Sequence, residues 1–376
     1  MTFLIITHVP HSIEQENYFA YGPYVAEMNL WCRHVNELIV LAPIVYSSKT
    51  PIDLDYKHKK IQFVGVEPIY LLGLKAVLRT IAKLPKISWQ IYRAMQRADH
   101  IHLRCPGNIG LLGCLIQMLF PKKPKTAKYA GNWDPKSRQP WSYLLQKRIL
   151  SNTLITRNMQ VLVYGEWEGR TKNIKPFFTA TYTEADKLPF TQKDLEGEIN
   201  FVFVGTLVKG KNPLYAIQLV ETLFQKGYEV TLRLYGEGSE RKILEDYIAQ
   251  NKLEKIISLE GNQRKESLKI AYQNSHFVIL PSESEGWPKA IAEGMFWGCV
   301  SLATPVSCVP FMLDQGKRGV LLAMDLEKDI EKVELILKNQ ADFDTKSENA
   351  SDWSRNYTLN VFEREIMDLL KQESKL

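Results

Sequence analysis

The stretch Pro281-Ser-Glu-Ser-Glu285-Gly-Trp-Pro288-Lys-Ala-Ile-Ala-Glu293-Gly-Met-Phe-Trp-Gly298 decides the fold class. An apolar run, His276-Phe-Val-Ile-Leu280, leads into it and reads as a buried parallel strand. Pro288 fits the first position of a helix that continues to Trp297 and stops near Gly298. A strand, a glycine-bearing turn and a helix start leave backbone N–H groups aimed into one crevice, where an anion is stabilised. Glu293 falls in the second helical turn, and helical side chains lean toward the N-terminus. Its carboxylate is therefore expected to reach a ligand held at the helix start, with Glu285 approaching from the loop. A carboxylate is a poor partner for phosphate and a good acceptor for paired hydroxyls, so the pattern predicts a phosphate joined to a sugar.

Outward from this stretch, strands and helices alternate. Strand Asn200–Val204 runs into Gly205-Thr206-Leu-Val-Lys209-Gly-Lys211-Asn-Pro213, strand Thr231–Tyr235 into Gly236-Glu237-Gly238, and strand Ile256–Leu259 into Gly261-Asn262. Helices are expected over 214–226, 241–250 and 265–274, with further strands at Val300–Ala303 and Gly319–Leu322. This alternation predicts a doubly wound α/β domain.

Glu285 and Glu293, separated by seven residues, together with Gly286, Trp287, Pro288, Ala292 and Gly298, resemble the E-x7-E signature of retaining glycosyltransferases of family 4, the glycosyl transferases group 1. The closing Trp353-Ser-Arg-Asn-Tyr357-Thr-Leu-Asn-Val-Phe362 resembles the family's last segment. The resemblance covers residues 200–365 closely and the N-terminal half only in architecture. It implies the GT-B fold, with two Rossmann-like domains facing a central cleft. Residues 1–190 would be the acceptor-side domain, 191–345 the donor domain, and 346–376 a helix crossing back to the first domain.

The same resemblance implies the site roles. Lys211 matches the lysine that binds the donor diphosphate. Thr206 stands where the family has an arginine, so Lys209 or Arg104 is expected to supply the second cation. Gly236, Glu237, Gly261 and Asn262 fall where the family lines its nucleotide site. Gly286 to Lys289 would receive the diphosphate on backbone amides, Glu293 the ribose hydroxyls, and Glu285 the donor sugar. Asp134 keeps the second place of a His-Asp pair near the sugar, while Trp133 stands where His is commoner.

Composition agrees with a soluble two-domain enzyme: 376 residues, 45% hydrophobic, 24% charged. Ile109 to Phe120, the longest uncharged apolar stretch, is too short to span a bilayer. Met1-Thr-Phe-Leu-Ile-Ile reads as a first strand and not a signal peptide. Five scattered cysteines without Cys-x-x-Cys spacing indicate neither a disulfide framework nor a zinc site, so a reduced, cytoplasmic chain is expected. No Asp-x-Asp is read at a strand end to hold a metal against diphosphate, and neither metal nor cofactor is expected.

Charge is uneven. Residues 1–190 hold 25 Lys and Arg against 13 Asp and Glu, whereas the remainder is net acidic by 6. In the basic half, strand Phe3–Ile6 opens into a polar, aromatic loop, Thr7–Tyr21, with His8, His11, Glu14, Glu16, Tyr18 and Phe19. The Gly-x-Gly-x-x-Gly of a dinucleotide site is absent there, which argues against a nicotinamide dehydrogenase. Residues 69–98 form a basic amphipathic stretch carrying Lys75, Arg79, Lys83, Lys86, Trp89, Arg93 and Arg97, expected to break into two helices at Leu84-Pro85. Lys122, Lys123 and Lys125 add to it. A cationic, apolar-edged face suits an anionic membrane surface, and no nucleic-acid motif accompanies it.

The sequence thus reads as a retaining glycosyltransferase that uses a nucleotide-sugar and a glycan or lipid-linked acceptor, in bacterial-type surface polysaccharide or glycolipid synthesis. It is expected in the cytoplasm, peripheral to the inner face of the membrane. The alternatives are a catalytically silent GT-B-like binding subunit and another GT-B enzyme such as a nucleotide-sugar epimerase.

Overall fold

A computed structural model describes residues 1–14, 17–46, 49–50, 52–69 and 74–372, with the side chains of 74–79 and 372 outside the description. The chain divides into two compact units, Met1–Phe178 with Phe362–Leu376, and Thr179–Val361. The sequence reading drew its divisions at 190 and 345.

The first unit contains β1 (Thr2–Ile6), β2 (His11–Glu14), β3 (Asn17–Tyr21), β4 (Glu37–Pro43), β5 (Asp53–Asp55), β6 (Ile61–Val66), β7 (His100–Cys105), β8 (Lys125–Tyr129), β9 (Met159–Tyr164) and β10 (Ile174–Phe177). Between them run α1 (Gly22–Cys32), α2 (Leu74–Arg97), α3 (Asn108–Ile116) and α4 (Trp141–Leu150). Seven strands pair in parallel in the order β10-β9-β8-β7-β1-β4-β6. Near-continuous burial of β1 and β4 matches their apolar runs, since both sheet faces are covered, while β7 is as buried but interleaves His100, His102 and Arg104 with its apolar residues.

Three expectations change here. The Thr7–Tyr21 segment is an antiparallel hairpin, β2 with β3, extended by β5. Its polar look concealed a buried edge: His11 sits at 0% exposure, with Nε2 2.9 Å from the Tyr56 hydroxyl, and burial pulls its imidazole down to about 4. Glu16 lies outside the described residues. The Asp53-Leu-Asp55 of β5 is an Asp-x-Asp within a strand, but its carboxylates take separate partners, Thr50 and Lys49.

The second change is α2, one helix with Pro85 inside it instead of two. Proline removes one hydrogen bond and crowds the carbonyl of Ile81. Both Ile81 and Pro85 are exposed, so water can serve the freed carbonyl, while Ile87, Ile91, Ala94 and Met95 hold the other face in the core. The start of the basic stretch, residues 70–73, and the side chains of Lys75 and Arg79 lie outside the described residues. Third, two of the three lysines at 122–125 are not a free surface. Lys123 Nζ caps the end of α2, donating to the carbonyls of Met95 (2.9 Å) and Gln96 (2.8 Å), and Lys125 is fully buried.

The second unit contains β11 (Ile199–Val204), β12 (Val230–Tyr235), β13 (Ile257–Gly261), β14 (Phe277–Leu280), β15 (Val300–Ala303) and β16 (Gly319–Leu321). Its helices are α5 (Pro213–Gln225), α6 (Arg241–Gln250), α7 (Lys265–Asn274), α8 (Lys289–Phe296), α9 (Val309–Met312), α10 (Leu326–Leu337) and α11 (Gln340–Ser354). All strands are parallel in the order β13-β12-β11-β14-β15-β16, so the strand order reverses between β11 and β14. Helix α11 belongs to this unit because its serines are bonded to the α8 region: Ser347 Oγ to Gly298 O (2.6 Å) and Ser354 Oγ to Ala292 O (2.6 Å). The last helix, α12 (Leu359–Gln372), joins the first unit from Phe362 on, where that ring meets Phe177 and Glu365 pairs with Lys175 at 2.6 Å.

The first unit also holds a buried charge cluster. Arg104 Nη1 and Nη2 lie 2.5 and 3.2 Å from the two carboxylate oxygens of Glu27, and Lys128 Nζ lies 3.5 Å from the same carboxylate. Lys128 is fully buried, donates to Phe178 O at 2.7 Å and faces the rings of Tyr164, Phe177 and Phe362. Removing the carboxylate leaves two buried cations without their counter-charge. Glu27→Ala is expected to destabilise the protein by about 3–5 kcal/mol, measured as a lower urea midpoint at unchanged slope.

Candidate functional site

In a doubly wound sheet, ligands bind beyond the carboxyl ends of the strands where the order reverses. In the second unit that point lies between β11 and β14, and the loops after these two strands are joined. Glu283 N donates to Gly210 O at 2.8 Å, Asn212 Nδ2 donates to Pro281 O at 2.8 Å, and Lys211 Nζ forms an ion pair with Glu285 Oε1. Asn212 adopts a left-handed conformation (φ 47°), which turns the loop so that Lys211 faces its partner while α5 starts at Pro213. The Glu285 side chain is 9% exposed and that of Lys211 25%, so solvent screens the pair only partly.

The remaining loop ends are fixed by backbone approach. A Cβ on Gly236 would lie 1.9 Å from Gly205 O, and one on Gly238 would lie 2.2 Å from Leu207 O. Only glycine lets the loop after β12 pack this closely against the loop after β11. Leu207 N bonds Glu237 O at 3.0 Å and Gly236 N bonds Gly261 O at 2.9 Å, which carries the same edge on to β13. The Glu237 side chain points to Arg241, with 2.7 Å between Oε1 and Nη1. Thr206 and Lys209 are exposed, and Lys209 shares a single turn of 3-10 helix with Lys211.

On the other side, α8 begins at Lys289 with Pro288 as its N-cap, one residue later than expected. Gly294 lets α8 lie on β14, since a Cβ there would meet Val278 at 2.6 Å. Gly298 (φ 73°) ends the helix, as the sequence suggested. The preceding loop is held from β15: Ser307 Oγ and Cys308 Sγ lie 3.1 and 3.2 Å from Gly286 O. Burial pushes the Cys308 thiol up to about 12, so it remains protonated and acts as a donor. The first amides of α8 have no intrahelical acceptor, as in any helix start.

Glu293 lies on α8 one turn in. Its carboxylate accepts from Thr181 Oγ1 (2.6 Å) and from the Tyr272 hydroxyl (3.1 Å), and lines a shallow pocket with Thr179–Tyr182, Trp287, Lys289, Phe296, Ser354 and Tyr357. Burial raises its carboxyl above the ordinary value, opposed by the Thr181 hydroxyl and by Lys289. Thr181, Tyr182 and Tyr272 were not read from the sequence. Thr181 and Tyr182 come with the 179–182 segment, anchored where Leu359 N donates to Tyr182 O (2.8 Å), and Tyr272 comes from α7; local pattern reveals neither approach.

The structure therefore joins Lys211 and Glu285 beyond the two strands where the order reverses, with Lys209 in the same turn as Lys211, Gly286 next to Glu285, and Gly236, Glu237 and Gly261 on the adjoining loop ends; Lys289 lines the pocket at Glu293. Asn262 follows β13 at the same edge. Four expected residues have their side chains engaged elsewhere. Trp287 is buried in an aromatic cluster with Trp353 and Tyr357. Arg104 is locked on Glu27 in the first unit, so its guanidinium is already engaged. Trp133 is buried edge-on against Tyr129 and under Lys147, while Asp134 caps its own turn by accepting from Lys136 N at 2.8 Å.

Residues 185–357 match the sequence model of a family described as glycosyl transferases group 1. The uncharacterized glycosyltransferase MJ1178 of Methanocaldococcus jannaschii is 26% identical over 183 residues, 48% of this chain and 50% of that protein. The putative colanic acid biosynthesis glycosyltransferase WcaL of Salmonella typhimurium is 25% identical over 42% of this chain and 41% of its own length. The match thus spans about half the length, or less, of these curated relatives. Among solved structures, HepE of Anabaena in complex with UDP and glucose superposes with a TM-score of 0.69 at 13% identity, covering 98% of this chain and 99% of that one. The two parallel-sheet units are those of the GT-B fold.

The raised Glu293 carboxyl sets a sign for stability against pH. A folded-state value above the unfolded one favours the protonated form, so its contribution is present at low pH and is lost as pH rises through the folded value. Glu293→Gln, which is always neutral, is expected to melt above wild type at neutral pH and to converge with it below about pH 4. Thermal scans across that range measure the difference.

Proposed function

We propose, with the glycosyl transferases group 1 match of residues 185–357 as premise, that this chain is a retaining glycosyltransferase. It moves a sugar from a nucleotide-sugar to a glycan or lipid-linked acceptor in surface polysaccharide or glycolipid synthesis. The observation that carries the reading is the meeting of Lys211 and Glu285 across the strand-order reversal, beside the start of the helix that bears Glu293. In this reading a donor diphosphate takes the Lys211 ammonium, with Lys209 beside it and the amides of Gly286 to Lys289 along the other edge. Such preorganised charge favours the leaving group as the sugar–phosphate bond breaks. Glu285, released from Lys211, faces the sugar, orients a hydroxyl and stabilises the positive charge that develops on the ring. Glu293 accepts from the ribose hydroxyls. The acceptor hydroxyl forms the new bond, and its proton passes to the departing phosphate oxygen.

UDP and glucose bound to HepE make UDP-sugars the first donors to test, and the description of WcaL supports an extracellular-polysaccharide acceptor. No group of three or more His, Cys, Asp or Glu that would hold a metal occurs among the described residues, and the proposed chemistry needs none. No helix among the described residues is long and apolar enough to cross a membrane. For an acceptor held at a membrane, the exposed face of α2 supplies Lys86, Trp89 (61% exposed) and Arg93, whose guanidinium lies over the Trp89 ring at 5.9 Å. Lys83 is paired with Glu67 and contributes less.

Calorimetric titration of UDP-sugars in excess EDTA tests the donor reading. Lys211→Ala is expected to weaken UDP by about tenfold or more and uridine hardly at all, and transfer activity should survive EDTA. Equal losses for UDP and uridine would assign Lys211 to folding alone. Sedimentation with vesicles tests the membrane reading. Binding should need anionic lipid, fall with salt, and weaken in Lys86→Gln/Arg93→Gln, each cation contributing about 1 kcal/mol.

A further inference from the structure

A second concavity lies at the other end of the first unit's sheet. Lys125 opens β8, Met159 opens β9, and Asn173 immediately precedes β10, so the amino ends of three adjacent parallel strands form its floor. Leu369 of α12 closes one side. The cavity measures about 510 Å³, within the range of small-molecule sites. A doubly wound domain places its reaction chemistry at the opposite, carboxyl edge, so this cavity is separate from the acceptor side of the proposed reaction.

Its charge is one-sided. Lys122, Lys125, Arg157 and Lys172 line it, and no aspartate or glutamate does. Among the described residues, none of these four cations has a carboxylate partner. Lys125 is fully buried and donates to the carbonyls of Phe120 (2.6 Å) and Lys123 (3.1 Å), neutral acceptors that leave its charge uncompensated. Burial accordingly pulls its ammonium down to about 8. Arg157 is tethered through Nε to Leu154 O at 3.0 Å, which orients its guanidinium without neutralising it. Four cations around one cavity repel each other, and a multiply charged anion seated among them relieves that repulsion. Phosphate carries such multiple charge, and an arginine fork and lysine ammonium groups both recognise it. The rest of the lining, Thr153 and Gln160 beside the apolar Met159, suits a hydroxyl-bearing carbon skeleton and not a bare ion.

We propose that this cavity binds a phosphorylated polyol, at a site distinct from that of the donor. Two sources share that chemistry: a free sugar phosphate and the glycerophosphate head of a lipid.

The test uses the full chain, saturated with UDP so that its donor crevice is occupied. Calorimetry with glucose 1-phosphate, glycerol 3-phosphate and inorganic phosphate is set beside sedimentation with phosphatidylglycerol vesicles. The comparison variant is Arg157→Gln/Lys172→Gln, both positions being exposed and its fold checked by circular dichroism. The phosphorylated polyols are expected to bind despite UDP and to lose about tenfold or more in the variant, with UDP affinity unchanged. Soluble binding with vesicles ignored assigns the site to a free sugar phosphate. Vesicle binding that the variant abolishes assigns it to a lipid head. Inorganic phosphate binding as tightly as the polyols would overturn the polyol assignment. No variant-sensitive binding of any probe at millimolar concentration would overturn the site. Because UDP binding is read separately, failure here leaves the donor reading intact, and the reverse also holds.

Discussion

The second unit is organised by one constraint, the joining of the loops that leave β11 and β14. These adjacent strands feed helices on opposite faces of the sheet, so their loops part and open a crevice between them. Left open, that crevice would expose a buried carboxylate. Here Asn212 on Pro281 O, Glu283 on Gly210 O and the Lys211–Glu285 pair close it at its base. Other features follow from it. The glycines at 236 and 238 pack the next loop against the same edge, and Ser307 with Cys308 braces Gly286 from the far side.

A charge pair at this point serves fold and chemistry in turn. Lys211 offsets the cost of a Glu285 carboxylate that is almost wholly shielded from water. In the proposed reaction, the donor diphosphate would compete for the same ammonium and leave the carboxylate to face the sugar. The first unit deals with its interior charge differently. Arg104, Lys128 and Glu27 are sealed among aromatic rings, which makes that cluster a structural element and removes Arg104 from the candidate chemistry.

The basic excess of the N-terminal half likewise separates into distinct uses. Lys123 caps a helix, Lys128 is caged, Lys83 is paired, and Lys86 and Arg93 remain on the exposed face of α2. Lys122, Lys125, Arg157 and Lys172 converge on a cavity although they are spread over some fifty positions in sequence. Net charge alone does not separate these uses, which only three-dimensional placement distinguishes.

Sequence alone determined what depends on short-range pattern. The apolar run into Pro281, the Gly-rich turn and the helix bearing Glu293 were legible because burial on both sheet faces, helix starts and left-handed glycines each leave a mark within a few residues. The parallel doubly wound class followed from the alternation of such units. Tertiary structure decided what depends on contacts between distant segments. The β2–β3–β5 sheet pairs residues about thirty-five apart, and its polar surface hid the buried His11. A proline did not break α2, because the core face outweighed one lost hydrogen bond. Trp133, Trp287 and Arg104 went to packing or to a buried pair, and Thr181 and Tyr272 came to Glu293. The strand order, and so the place where Lys211 meets Glu285, was likewise decided there, because hydrogen bonding between strands carries no signature in the local sequence.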